Sequence, residues 1–364
     1  MTDRPSSFKR MDMLGMSAGV WMRVLARTPK PVDRRYLVRF LSALSVSSAS
    51  SAGKRWQRIR PLPPPLPPGQ QPVVFVIGHW RSGTTLMQNL LSCDPRFSAL
   101  TTSQAVFPNL QDTPLMQPVL EMLGIAGSYK RLMDNVIIGP DAPMELEYAI
   151  MNLTGRSEYL AFTFPRSRRE FLRYLRADQA AMTERETREF RAAVLEVNGR
   201  LADGRTVLHK NPPTTANIAE IKRILPRAQF VFLSRNPHEV YVSTLKTWRV
   251  LTEIGTLQDD GGDELPDYIL ERYRVMHEAY LAQRDSIPST DLIEVAFTDL
   301  ESDPMGAVER VYDHLGWEAP DPAYFEEKIA AMKSHVKNEH PPLDPTTVRR
   351  IDEAWGSIIA ALFP

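Results

Sequence analysis

Residues 73–85 read VVFVIGHWRSGTT. The first five residues are an unbroken β-branched and aromatic run, which is typical of a strand buried on both faces of a parallel sheet. Gly78 and Gly83 bracket the turn that follows, and a helix is expected from Thr84 onward. Such a helix points its first N–H groups, which have no intrahelical acceptor, back into the glycine turn. The stretch therefore predicts an anion-binding loop between a buried strand and a helix.

This loop differs from the usual loop of nucleoside-triphosphate hydrolases. There, a lysine follows the second glycine and serves the β- and γ-phosphates of a metal-bound triphosphate. Here Thr84 takes that position, and the cation lies inside the loop at Arg81. A different phosphate donor is therefore expected, and a tight turn without a ligand is the alternative. The residues expected to surround the anion are Gly78, Trp80, Arg81, Ser82, Gly83, Thr84 and Thr85.

Strand and helix patterns alternate from residue 73 to residue 316. Short apolar strands are expected at 206–209, 229–233 and 291–296, and a glycine-rich acidic loop is expected at 252–265. The helices expected around them include one at Pro143–Leu153 and one that runs from Pro237 to about Trp248. Alternation of this kind is typical of α/β domains with a parallel sheet. The sequence therefore predicts a P-loop-like three-layer fold, in which helices flank a central parallel sheet.

Three segments of the chain differ in composition. Residues 1–60 are basic and helix-prone, and they predict an N-terminal helical extension. Residues 61–69 read PLPPPLPPG, which predicts a polyproline II connector, and residues 70–364 form the predicted main domain. The extension is expected to pack on the main domain as a helical layer. Its basic, amphipathic pattern leaves open a second interpretation, a face that rests on an anionic membrane or lipid.

A second anion site is predicted after the strand at 229–233. Arg235 follows that strand, and Ser243 lies eight residues further on, in a helix that Pro237 begins. The carboxyl ends of parallel strands share one edge of the sheet, so Arg235 is expected near the glycine loop. A guanidinium and a hydroxyl together suit a phosphate group. Two separated anion sites on one edge describe a nucleotide that is phosphorylated at both ends of its ribose.

The composition of the chain excludes several classes of function. Lys plus Arg number 44 and so do Asp plus Glu, so the formal net charge is zero and no nucleic-acid partner is expected. Cys93 is the single cysteine, and no His, Asp or Glu spacing indicates a metal site. No apolar run reaches the ~18 residues of a membrane span. These features favour a metal-free protein of the cytoplasm, and the N-terminal segment leaves open a peripheral position on the inner face of the membrane.

The loop, Arg235 and Ser243 together resemble the sulfotransferases that use 3′-phosphoadenosine 5′-phosphosulfate (PAPS), above all the bacterial branch with a GxxRSGTT loop. The resemblance implies that PAPS is the co-substrate, that the loop holds its 5′-phosphosulfate, and that Arg235 and Ser243 hold its 3′-phosphate. It implies sulfuryl transfer to an acceptor hydroxyl without a metal. It also implies that Lys210 lies on the active edge, and that Lys337 and Asn338 belong to a loop that folds over the nucleotide.

The expected catalytic residues follow from the same resemblance. Arg81 and Lys210 are expected to stabilise the charge on the leaving phosphate oxygens. A proton acceptor is also needed, but Pro212 stands where the animal cytosolic members carry a histidine. Two glutamates lie two positions apart in a predicted helix and point about 200° apart, so one of them is expected to face the site. The candidates for the proton acceptor are Glu145, Glu147 and His79.

The acceptor is expected to be a small molecule. Apolar side chains between residues 99 and 165 favour a lipid-like or aromatic alcohol. Two rival functions remain. A P-loop kinase or nucleotide hydrolase would need a lysine after Gly83, and a non-catalytic nucleotide-binding scaffold would recruit its partner through the proline tract at 61–68. The sequence leaves the oligomeric state open.

Overall fold

The structure is a computed structural model of the chain, and it describes residues 15–60, 71–130, 137–178, 181–260, 264–333 and 343–363. The connector predicted at 61–69 lies outside these ranges. Lys337 and Asn338, the candidates for a nucleotide-covering loop, also lie outside the described residues.

The strands alternate with helices along the chain, as the sequence predicts. They are β1 (Val73–Gly78), β2 (Phe97–Ala99), β3 (Tyr129–Lys130), β4 (Ile137–Ile138), β5 (Thr206–Lys210), β6 (Ala228–Ser234) and β7 (Leu292–Ala296). Five of them form a parallel sheet in the order β2-β5-β1-β6-β7, and β3 pairs with β4 in a separate antiparallel ladder. The register of the sheet sets Val76 opposite Lys210 and Gly78 opposite Leu233, so the strand ends that carry the predicted site meet at one edge.

The helices of the described residues surround this sheet. They are α1 (Ala18–Arg27), α2 (Leu37–Ile59), α3 (Thr84–Leu91), α4 (Thr102–Val106), α5 (Met116–Met122), α6 (Leu146–Thr154), α7 (Leu160–Thr163), α8 (Arg168–Leu172), α9 (Glu184–Arg200), α10 (Ile218–Ile224), α11 (Pro237–Gly255), α12 (Leu265–Arg284), α13 (Phe297–Ser302), α14 (Pro304–Leu315), α15 (Glu326–Lys333) and α16 (Pro345–Leu362).

Helices cover both faces of the sheet, which confirms the predicted three-layer fold. On one face, Val74 and Val76 of β1 share a hydrophobic core with residues of α3 and α14. On the other face, Phe75 and Ile77 share a core with residues of α9 and α10. Every residue of β1 is buried. The unbroken apolar pattern of this strand thus reflects burial on two faces and not on one.

One strand and two helix boundaries bear on the site or the sheet edge and differ from the sequence-based expectation. Strand β2 at the sheet edge was not expected, because three residues carry no periodic signal. Helix α11 was expected to end near Trp248, but it continues to Gly255, where the predicted loop should already have begun. The helix expected from Pro143 begins only at Leu146, with Glu145 at its N-cap. This last difference changes how the two candidate glutamates are presented.

Helices α1 and α2 form a layer on the main domain, which we call the N-terminal layer. Trp21 of α1 and Val46 of α2 belong to the same hydrophobic core as Trp248 of α11. Gly53 allows α2 to approach closely, because a Cβ at this position would overlap the carbonyl oxygen of Asn109. Among the described residues, no helix combines the length and the apolar character needed to cross a membrane.

Candidate active site

The glycine loop turns sharply between β1 and α3. Gly83 is the N-cap of α3 and has a φ of 99°, in the left-handed region that favours glycine. A Cβ at Gly83 would lie 2.5 Å from the ring of Phe297, so the close approach to α13 also requires glycine. Arg81 has a φ of 71°, which is uncommon for a residue with a side chain and marks a backbone held by its surroundings. The loop is therefore a fixed structure and not a flexible connection.

Arg81, Arg235 and Ser243 lie together beside the glycine loop. The Arg81 Nε donates a hydrogen bond of 2.8 Å to the Ser243 hydroxyl. The Arg235 Nη1 donates to the carbonyl oxygen of Arg81, at 3.2 Å. The Arg235 guanidinium also lies 4.3 Å from the centre of the Phe297 ring and pairs with Glu239. Two guanidinium groups thus converge on the turn from two different strand ends.

Lys210 and Glu145 form an ion pair beside the loop. Lys210 ends strand β5, and its Nζ lies 2.5 Å from the Glu145 Oε1 and 3.4 Å from the hydroxyl of Thr85 in α3. The backbones of Glu145 and Lys210 are also joined by an isolated parallel bridge. The Lys210 side chain is almost fully buried, whereas that of Glu145 keeps 14% of its surface exposed. The carboxylate is therefore the member of the pair that an entering molecule can reach more readily.

Tyr159 completes this group. In the sequence it is one of many apolar side chains between residues 99 and 165, and its neighbours do not mark it as a site residue. Its hydroxyl donates to the Glu145 Oε2 and accepts a 2.8 Å hydrogen bond from the Trp80 Nε1. Burial raises the pKa of the Tyr159 phenol well above its usual value, and the negative charge of Glu145 adds to this effect. Tyr159 therefore stays protonated and acts as a donor. No sequence motif surrounds Tyr159, so only the packing of α7 against the loop reveals the contact.

Glu147 has an environment opposite to that of Glu145. It is buried, its backbone N–H donates to the Asn211 Oδ1 at 2.9 Å, and the Asn211 amide reaches its carboxyl at 3.4 Å. Burial raises the pKa of the Glu147 carboxyl to about 8. Of the two glutamates, Glu145 is therefore the one that contacts Lys210, while Glu147 is held by Asn211 in the interior.

His79 does not reach the group around Lys210. The Arg272 Nη1 lies 2.8 Å from the His79 Nε2, and a guanidinium can only donate, so Nε2 accepts. The proton then lies on Nδ1, which donates to the Trp80 carbonyl oxygen at 2.8 Å. Burial, followed by the charge of Arg272, holds the pKa of His79 well below its usual value. Both ring nitrogens form hydrogen bonds in the protein interior, which argues against the expected role of His79 as a proton acceptor.

Trp80 and Gly78 contribute to the loop differently from the expectation. The Trp80 ring packs into an aromatic cluster, 5.4 Å from Phe162 and 5.5 Å from Trp248, so only its backbone belongs to the anion-binding turn. The N–H group of Gly78 donates to the Thr215 hydroxyl at 2.7 Å. Gly78 therefore fixes the end of the strand, and the open side of the turn is formed by residues 81–85.

The remaining loop side chains hold the turn itself. The Ser82 hydroxyl donates to the His79 carbonyl oxygen at 2.7 Å, and both Ser82 and Thr84 are buried. Beneath the loop, Arg272 pairs with Glu158 at 2.5–2.6 Å, and both side chains are fully buried. The arrangement as a whole combines the glycine turn with three cations, Arg81, Lys210 and Arg235, and with the carboxylates of Glu145 and Glu239 that pair with two of them.

The chain is similar to known sulfotransferases. The chain is 29% identical over 354 residues to the omega-hydroxy-beta-dihydromenaquinone-9 sulfotransferases Stf3 of Mycobacterium bovis and Mycobacterium tuberculosis, and the alignment spans 95% of this chain and 89% of each relative. In fold it is similar to sulfotransferase STF9 from Mycobacterium avium, with a TM-score of 0.68 at 18% identity over 98% of this chain and 94% of the other. Sulfotransferase STF1 from Mycobacterium tuberculosis H37Rv gives a TM-score of 0.63 at 18% identity, over 96% and 94%.

A family model gives the most direct assignment. The model of the Sulfotransferase family matches residues 72–321, a stretch that begins just before β1 and ends after α14. This range contains the glycine loop, Lys210, Arg235 and Ser243. On the match between this model and more than half of its length, the chain belongs to the sulfotransferase family of enzymes.

Proposed function

We propose that this chain transfers a sulfuryl group from PAPS to the hydroxyl group of a small, lipid-like acceptor. The observation that carries the proposal is the contact of Lys210 with Glu145 beside Thr85, which joins a cation, a carboxylate and the anion-binding turn. Family membership supports sulfuryl transfer. The relatives named for a hydroxylated dihydromenaquinone support a lipid alcohol as the acceptor.

The residues at the turn suit the two anionic ends of PAPS. The first N–H groups of α3, at Thr84 and Thr85, have no intrahelical acceptor and are proposed to bind the 5′-phosphosulfate. Arg235 and Ser243 are proposed to bind the 3′-phosphate, because a guanidinium and a hydroxyl there face the same turn. Arg81 contacts both of these residues and so connects the two anion sites.

In the proposed reaction, Glu145 is the proton acceptor. The hydroxyl oxygen of the lipid-like acceptor molecule forms a bond to sulfur, while the bond between sulfur and the bridging phosphate oxygen breaks. The hydroxyl proton passes to Glu145, and adenosine 3′,5′-bisphosphate leaves with the electron pair. Lys210 and Arg81 stabilise the charge that develops on the leaving oxygen. The Lys210 ammonium is a hydrogen-bond donor and not an acceptor, so it is suited to stabilise that oxygen.

Tyr159 is proposed to be a positioning residue for Glu145. Its hydroxyl contacts the second carboxylate oxygen, and Trp80 holds the phenol in turn. With Lys210 on Oε1 and Tyr159 on Oε2, the carboxylate is fixed in the plane that these two donors define. An acceptor hydroxyl then meets a carboxylate of fixed orientation, which is a condition for efficient proton transfer.

The proposal is tested by transfer of labelled sulfur from PAPS to an ω-hydroxylated menaquinone analogue. Glu145→Gln is expected to lower turnover by about 10²- to 10⁴-fold, because it removes the proton acceptor while keeping the size and shape of the side chain. Lys210→Ala is expected to cause a comparable loss, because it removes the cation at the leaving oxygen. Binding of adenosine 3′,5′-bisphosphate, followed by calorimetry, should persist in Glu145→Gln.

Glu147→Gln is the matched control, since this buried carboxyl lies two residues away and does not face Lys210. It should keep turnover within about threefold of the original chain. Equal losses in Glu145→Gln and Glu147→Gln would contradict the assignment of Glu145. Tight binding of adenosine 3′,5′-bisphosphate without transfer to any alcohol would instead favour the non-catalytic scaffold.

A further inference from the structure

The N-terminal layer carries positive charge that the rest of the chain balances. Residues 15–60 contain ten Lys and Arg residues and a single acidic residue, Asp33, although the whole chain has equal numbers of both signs. Within α2 and Arg60 there is no Asp or Glu at all. A surface of this kind attracts anionic partners at long range and repels cationic ones.

The same layer exposes large apolar side chains. Of the eight large apolar residues that are exposed in the described part of the chain, six belong to it: Met22, Leu37, Val38, Leu41, Trp56 and Ile59. Val38 and Ile59 are 78% and 80% exposed. Single exposed apolar residues need no explanation, but their concentration in one layer marks an interaction surface.

These residues share one side of α2. Val38, Leu41, Ser45, Ser48, Ala52, Trp56 and Ile59 are all exposed and follow one another at intervals of three or four residues, which places them on one face of the helix. The opposite face, which includes Ala43, Val46, Ser50 and Gly53, is buried against the domain. The exposed face runs for roughly 30 Å along the helix.

Cations lie at both ends of this face. Arg34 and Arg35 precede the helix, and Arg35 pairs with the exposed Asp259, while Arg55, Arg58 and Arg60 are exposed at its far end. The Arg60 guanidinium lies 5.0 Å from the centre of the Trp56 ring, so cationic and aromatic groups are interleaved there. Apolar side chains flanked by arginines, with no carboxylate between them, suit the boundary between lipid head groups and acyl chains.

We propose that the exposed face of α2 docks on an anionic lipid membrane. A second copy of this chain suits the face less well, because a two-fold dimer would bring two strongly positive surfaces together. A lipid surface offers both an apolar layer for Val38, Leu41 and Ile59 and negative charge for the flanking arginines. The inference stands on this surface and does not depend on the identity of the sulfuryl acceptor.

Docking through α2 would orient the whole domain, because the helix is firmly attached to it. The Gln57 amide donates to the carbonyl oxygens of Pro108 and Gln111 at 3.1 and 3.0 Å, and the Arg39 guanidinium donates to the carbonyl oxygen of Thr256 at 2.8 Å. These contacts join α2 to the main domain at two distant points. A membrane-bound α2 would therefore hold the active edge at a fixed angle to the lipid surface.

Vesicle co-sedimentation of the full chain, without nucleotide or acceptor, tests the proposal. The chain should bind vesicles containing about one third phosphatidylglycerol and should not bind pure phosphatidylcholine. Both Val38→Ser/Leu41→Ser/Ile59→Ser and Arg55→Glu/Arg58→Glu should lower the bound fraction roughly tenfold. The matched control is Tyr324→Ser/Arg188→Glu, which changes one exposed aromatic residue and one exposed arginine outside the layer and should bind like the original chain.

Circular dichroism first confirms that each variant is folded. Equal binding to both vesicle types, no binding to the anionic vesicles, or unchanged binding by the two α2 variants would overturn the proposal. Light scattering tests whether a second copy of this chain, instead of a membrane, covers the exposed face of α2. A dimer that becomes a monomer in the Val38→Ser/Leu41→Ser/Ile59→Ser variant would identify the face as an interface between copies and would also overturn the proposal. Failure of sulfuryl transfer leaves this measurement unaffected, so the two proposals fail separately.

Discussion

Two glutamates two residues apart have different chemistry because a helix begins between them. Glu145 is the N-cap of α6 and extends toward Lys210, while Glu147 lies in the first turn and is buried against Asn211. Had the helix begun at Pro143, as the sequence pattern suggested, both carboxyl groups would have belonged to one regular turn. The start of α6 at Leu146 therefore gives the two carboxyl groups different surroundings, with Glu145 beside Lys210 and Glu147 buried in the first turn.

The Arg235 side chain gives a prediction at the same scale. The Glu239 Oε2 accepts from its Nε at 2.9 Å and from its Nη2 at 2.7 Å, so a carboxylate competes with the proposed 3′-phosphate for this guanidinium. Glu239→Gln removes that charge, and adenosine 3′,5′-bisphosphate should then bind about fivefold more tightly in calorimetry. Glu253→Gln, an exposed change in the same helix, should leave the affinity unchanged. Weaker binding in Glu239→Gln would contradict the proposed role of Arg235.

Residues with a motif around them could be predicted, and those without one could not. Lys210, Arg235 and Ser243 follow strand patterns at fixed distances, and the parallel sheet brings them to the loop. Tyr159 and Arg272 lie in ordinary helical surroundings, although both contact the loop or its partners. Their positions depend on how helices pack across the sheet edge, which periodicity along the chain does not encode.

At the scale of elements, the glycine loop depends on α12. Arg272 contacts His79 and lies 4.5 Å from the centre of the Trp80 ring, while its ion pair with Glu158 is fully buried. The side chains of His79 and Trp80 therefore both contact the Arg272 guanidinium. Arg272 thus supports the part of the loop that directly precedes Arg81.

Arg272→Met should destabilise the protein by about 3–5 kcal/mol, because it leaves the Glu158 carboxylate buried without a partner. Chemical denaturation measures this loss. The matched control is Arg274→Met in the same helix, which removes a half-exposed pair with Glu278 and should cost about 0–1 kcal/mol. Similar losses in the two variants would mean that the buried pair does not support the fold beneath the loop.

Strands with long apolar runs could be predicted from the sequence, whereas an element with a short or weak hydrophobic pattern could not. The buried strand β1 and the strands on both sides of it are found where the apolar runs indicate them. Strand β2 is too short for a pattern, and it owes its place to the edge of β5, with which Phe97–Ala99 pairs. The extension of α11 to Gly255 follows from burial of Leu251 and Thr252 against neighbouring helices, a tertiary effect.

At the scale of the whole molecule, Glu147 links stability to pH. Its pKa is about 8 in the folded protein and near 4.5 when unfolded, so the folded state binds the extra proton between these values. Its contribution to stability is complete below pH ~4.5 and is lost as the pH rises through about 8. Glu147→Gln, which cannot ionise, should therefore gain stability over the original chain as the pH increases.

Denaturant unfolding at several pH values between about 5 and 8 measures this difference. The gap in unfolding free energy between Glu147→Gln and the original chain should widen steadily with pH. Glu309→Gln, an exposed change on α14, should show no such trend. A constant gap would mean that Glu147 is ionised in the folded protein.

The ion pair of Lys210 and Glu145 has a consequence for the timing of the proposed reaction. Each time the carboxylate takes up a proton, it loses the charge that it shares with the ammonium. In the proposed reaction, the attraction of the Lys210 ammonium for the oxygen from which sulfur departs would then become stronger. Removal of the proton from the acceptor hydroxyl and stabilisation of the leaving phosphate oxygen would therefore increase together, because both involve the ion pair of Lys210 and Glu145.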